Sequence, residues 1–125
     1  MICNKEMIAF ANIKLFGGKA FEDIEVELRA KNCHSFRIAT NQPFKSIRSI
    51  QSSFEKGLEL NLYFENNKLN SGSVTLMVET IRDSEHKQLM EVAFRGGIKI
   101  GRYDWGKVFI EQDKNGSWML GFKFS

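Results

Sequence analysis

Gly57-Leu58-Glu59-Leu60-Asn61-Leu62-Tyr63-Phe64-Glu65 is written in a period of two: Leu58, Leu60, Leu62 and Phe64 alternate with Glu59, Asn61, Tyr63 and Glu65. Successive side chains of a strand point to opposite faces, so this stretch buries one face of a sheet and wets the other. The chain closes in the same way, with Trp118, Leu120, Phe122 and Phe124 alternating with Met119, Gly121 and Lys123. Asn115-Gly116 stands between residues 107–112 and 117–124 and predicts a tight hairpin, whose turn needs positive φ at its centre.

The same period extends outward. Residues 73–81 align Val74, Leu76 and Val78, and residues 88–95 align Met90, Val92 and Phe94. Residues 66–72 are a connection between strands. Gly96-Gly97 breaks the pattern before Ile98 and Ile100 start another strand. Toward the N-terminus, residues 7–16 read as a strand whose register slips near Ala11, the mark of a bulge. Residues 23–30 read as a strand with Ile24, Val26, Leu28 and Ala30 on one face and Glu25, Glu27 and Arg29 on the other, and residues 34–39 as a third. Only one stretch has helical spacing. Phe44, Ile47, Ile50 and Phe54 recur at three to four residues, with Asn41 placed to cap and Pro43 in the first turn. The reading is a single all-β domain over residues 1–125: an antiparallel sandwich or open half-barrel of about nine short strands with at most one short helix.

Composition agrees with a small globular domain. Eleven Phe, two Trp and two Tyr supply large buried area per residue, which suits a thin β core. One proline and no Ser- or Gly-rich tract argue against a linker or disorder. Eighteen basic and fifteen acidic residues give a net charge of +3, too small to argue for nucleic acid by itself. The N-terminus lacks the pattern of a signal peptide and no run approaches a membrane span, so a cytoplasmic protein with reduced thiols is expected.

A search for chemistry returns mostly negatives. Cys33-His34 is the one close pair of metal-ligand types, and strand neighbours point apart, so neither a metal centre nor a Cys–His nucleophile is expected there. His86 sits in a charged turn. No Gly-x-Ser-x-Gly elbow occurs, and the glycines of residues 96–101 precede no helix that could hold a phosphate. No cofactor and no catalysis are expected.

Two features carry a binding reading. Glu22, Asp23, Glu25 and Glu27 form an acidic run, with Glu25 and Glu27 on one wet face of the proposed strand. They read first as the solvated face that alternation demands, and beyond that as charge steering for a basic partner or as an acid–base pair. Gly101-Arg102-Tyr103-Asp104-Trp105-Gly106 packs Arg, Tyr and Trp between glycines, the residue types that dominate interface hot spots. Its alternation also allows Tyr103 and Trp105 to sit in the core. In size, β character and want of catalytic signals the chain looks like small immunity proteins that neutralise bacterial toxins. That likeness implies a non-catalytic module that blocks a partner protein, such as a toxin domain, by occlusion. The alternative is a single-stranded nucleic-acid binder. Arg29, Lys31, Arg37, Lys45 and Arg48 fall in a stretch without acids, and Arg95, Lys99, Arg102 and Lys107 interleave with Tyr103 and Trp105.

Overall fold

The computed structural model describes residues 2–3, 8–10, 13–30, 35–40, 47–55, 58–76, 89–91, 98–112 and 118–124. Within them the chain is all-β with little helix, as its alternation predicts. In chain order the elements are β1 (Ile2–Cys3), β2 (Ile8–Phe10), β3 (Ile13–Leu15), α1 (Phe21–Ala30), β4 (Ser35–Thr40), β5 (Ile47–Glu55), β6 (Leu58–Glu65), β7 (Lys68–Leu76), β8 (Gly101–Tyr103), β9 (Gly106–Gln112) and β10 (Trp118–Phe124). Residues 89–91 are also helical.

β1, β2 and β3 form a small meander. The main sheet is seven-stranded in the order β4-β5-β6-β7-β10-β9-β8 and open at both ends, not a closed barrel. Its pairs are all antiparallel, and β10 joins the β4–β7 meander to the β8–β9 hairpin. One row runs in register across all seven strands: Ile38, Ile50, Leu62, Gly72, Phe122, Val108 and Gly101. Its large members lie on the core face. The Phe122 ring occupies the space that Gly72 leaves, since a Cβ there would stand only 2.4 Å from Phe122 Cζ.

A second layer covers that face. Phe21, Ile24 and Leu28 of α1 and Ile13 and Leu15 of β3 are buried in one cluster with Ile50, Leu60, Leu62, Phe64, Val74, Leu120 and Phe122. The Phe21 ring meets Phe64 edge-on at 4.9 Å, and the Arg48 guanidinium covers Phe21 at 3.8 Å. The chain entering α1 is tied to β7: Gly18 N–H donates to the Leu69 carbonyl, Leu69 N–H to that of Lys19, and Phe21 N–H to that of Asn67.

Five local expectations are corrected. Residues 23–30 lie within a helix rather than forming a strand. The alternation of Ile24, Val26 and Leu28 hides an equally good helical spacing of Phe21, Ile24 and Leu28, and the buried residues follow the second. Acidic Glu22 and Asp23 in the first turn and Arg29 in the last also suit the helix dipole. Conversely, the stretch with helical spacing contains a strand. β5 pairs along its length with both β4 and β6, and those ladders outweigh a spacing built partly from serines, which are weak helix formers. Residues 89–91 are helical where a strand was expected. The single strand expected over residues 7–16 is instead two paired strands, β2 and β3, and Ala11, where the slip was read, lies outside the described residues. The expected connection at 66–72 shrinks to Asn66 and Asn67, both at positive φ (53° and 62°), which join β6 to a β7 that begins at Lys68.

The β9–β10 hairpin pairs as predicted, from Trp118 opposite Gln112 to Phe124 opposite Gly106. Its Asn115-Gly116 turn lies outside the described residues, as do Cys33, His34 and His86.

Candidate functional site

The 101–106 segment forms a hairpin at the β8 end of the sheet. Arg102 pairs with Lys107 and Tyr103 with Gly106 across it, with Asp104 and Trp105 in the turn. The turn sets the two rings face to face: Tyr103 and Trp105 stack at 5.0 Å and 9° between planes. Trp105 in turn rests on Phe124 at 5.3 Å, and Phe124 on Phe122 at 5.7 Å. The Tyr103 hydroxyl donates to the Lys99 carbonyl. The rings are therefore neither free nor swallowed. Both are half-buried and packed against the core, while Arg102 and Asp104 are exposed. A stack braced in this way presents apolar area whose rotamers are already fixed, so a partner binding to it loses little side-chain entropy there.

Beside the stack, Gly106 carries no side chain and sits at φ 151°. A cleft of about 330 Å³ opens there, lined by Arg102, Tyr103, Gly106, Lys107, Lys123 and Phe124. Three of these six are cations. They form a directly opposed row, Arg102 against Lys107 and Lys107 against Lys123. Like charges set opposite one another on a sheet repel. The ion pairs between Lys19 and Glu27 and between Arg29 and Glu25 lie elsewhere. Lys107 also stands 5.1 Å from the Phe109 ring centroid.

The acidic run does not form one surface. On a helix, residues two apart point to different sides, so Glu25 and Glu27 do not share a face as they would on a strand. The structure also engages both. Glu27 accepts from Lys19 Nζ at 2.6 Å, and Lys19, itself buried, donates again to the Lys14 carbonyl. Glu25 lies 3.8 Å from Arg29, one helical turn on. The paired-carboxylate expectation is corrected accordingly. Glu22 and Asp23 remain exposed in the first turn of α1. These carboxylates sit on the layer over the core face, and the cationic row alternates to the opposite, outer face of the sheet.

Sequence reading found Arg102 and treated Lys107 as part of a basic stretch, but left Lys123 as one more wet-face residue. No spacing links these three. The signal is register: Lys123 pairs with Lys107 only because Trp118 pairs with Gln112 five residues earlier. Among the described residues no group of three or more His, Cys, Asp or Glu gathers to hold a metal ion. No described helix is long and apolar enough to cross a membrane. Comparison of the chain with protein-family models, with curated proteins and with solved structures finds no match.

Proposed function

We propose that this chain is a non-catalytic protein-binding module that acts by occlusion, covering a functional surface of its partner as an immunity protein covers a toxin. The observation that supports this reading is the braced Tyr103–Trp105 stack, half-exposed at the end of the sheet and flanked by Arg102 and Asp104. Aromatic side chains and arginine supply most of the binding energy at protein interfaces, and they do so best when held rigid before contact. Glu22 and Asp23 on α1 are a separate exposed acidic site suited to steering a basic partner, whereas Glu25 and Glu27 contribute less because each already has a cation.

Affinity capture from the native host tests the reading with paired baits. A protein held by the wild-type chain should be lost from Trp105→Ala, at a cost of roughly 2 kcal/mol or more in binding. Because Trp105 packs on Phe124, Asp104→Arg serves as the second bait. Asp104 is exposed, so this change leaves the fold intact while opposing the same contact. Identical capture by wild type and Asp104→Arg, both folded, would remove the hairpin from the interface.

A further inference from the structure

We infer that the outer face of β8, β9 and β10 binds the backbone of single-stranded nucleic acid. This goes beyond the protein-binding reading and does not rest on it. The row of Arg102, Lys107 and Lys123 continues in register to Ser71 of β7 and then to Tyr63 of β6. Adjacent strands lie about 4.8 Å apart, so the three cations line a track of about 10 Å across the strands. All three are exposed.

The opposed cations disfavour the folded state unless an anion lies over them. No described carboxylate pairs with any of them. An anion that bridges more than one of the three therefore gains twice, by direct pairing and by relief of their mutual repulsion.

The neighbourhood says which anion. At the far end of the track the Tyr63 ring is 46% exposed on the same face. Between Tyr63 and Lys123, Ser71 offers a hydroxyl. The next outer row holds Asn61, Ser73 and Gly121, with the Phe109 ring lying over Gly121 beside Lys107. Cations in a line with an exposed ring at one end match a phosphate backbone with unpaired bases, because phosphates use the cations and a base stacks on the ring. A strand of carboxylates would use the cations and leave Tyr63 idle. A duplex would keep its bases stacked on one another and away from the Tyr63 ring.

The test is fluorescence anisotropy of a labelled oligothymidylate of about twelve nucleotides with the full chain, at about 50 and 200 mM salt. Three phosphate contacts predict a log–log salt slope of about −2. Lys107→Gln and Lys123→Gln should each flatten that slope by about 0.7. Neither should lower the melting temperature, because each removes a like-charge neighbour. If contact with the Phe109 ring makes Lys107→Gln less stable, Arg102→Gln on the edge strand gives the same readout. Tyr63→Ala should weaken binding about tenfold without changing the slope. The inference is overturned by no binding at the lower salt, or by a slope that the lysine substitutions leave unchanged. It is also overturned if a glutamate decamer displaces the oligonucleotide at matched charge, which would assign the row to an acidic protein partner. Trp105 lies outside the row, so capture that depends on Trp105 survives or fails independently of these results.

Discussion

Gly106 concentrates the constraints of this fold on one residue. It pairs with both Tyr103 and Phe124, and its φ of 151° is one that side chains rarely adopt. A Cβ built there would lie 1.9 Å from the Lys123 carbonyl oxygen, which is backbone and cannot swing aside. Gly106→Ala should therefore cost about 3 kcal/mol through strain and overpacking, measured by denaturant unfolding. A cost below about 0.5 kcal/mol would show that the β9–β10 ladder is looser than described. Lys19 is the other singular residue. It is buried, yet its ammonium reaches the Lys14 carbonyl and Glu27, so the turn between β3 and α1 is fastened by a charge rather than by apolar contact. Glycines bracketing the 101–106 segment are visible in the sequence. What Gly106 does is not, because the clash depends on a strand that follows it by more than ten residues.

At the scale of elements, α1 shows how one string can satisfy two periods. Ile24, Val26 and Leu28 would share a face on a strand, whereas on α1 Ile24 and Leu28 are buried and Val26 is 67% exposed. Substitution separates the two cleanly. Ile24→Ala should cost about 2–5 kcal/mol. Val26→Ala should stay within about 0.5 kcal/mol or stabilise slightly, since alanine is the better helix former. Equal losses at the two positions would restore the strand. β5 is the mirror case. Its isoleucines follow a helical spacing, but its backbone finds a ladder on each side, and Ile50 becomes the buried isoleucine opposite both Ile38 and Leu62. Propensity is a weak prior where two partners compete for the same backbone groups.

For the whole molecule, β10 is the strand that unites the main sheet, because it pairs with β7 on one side and β9 on the other. Phe122 lies on its core face between Gly72 and Val108, next to Phe124, which carries the Trp105 stack. Phe122→Ala should cost about 3–5 kcal/mol, a large part of a typical domain stability of about 5–15 kcal/mol, whereas Lys123→Ala should do little. Equal melting temperatures for the two variants would invert the assignment of faces. The sequence by itself determined the core face of β6 and β10, though Asn61 on the other face of β6 is also buried, together with the all-β class and the β9–β10 hairpin, because alternation sustained along a whole strand and an Asn-Gly turn are local signals. Only the tertiary structure decided that residues 21–30 are helix and 47–55 strand, that Tyr103 and Trp105 are half-buried, and that Lys123 joins Arg102 and Lys107 in one row. The reason is common to all three. Each depends on which segment lies alongside, and long-range pairing rather than local spacing supplies the partner.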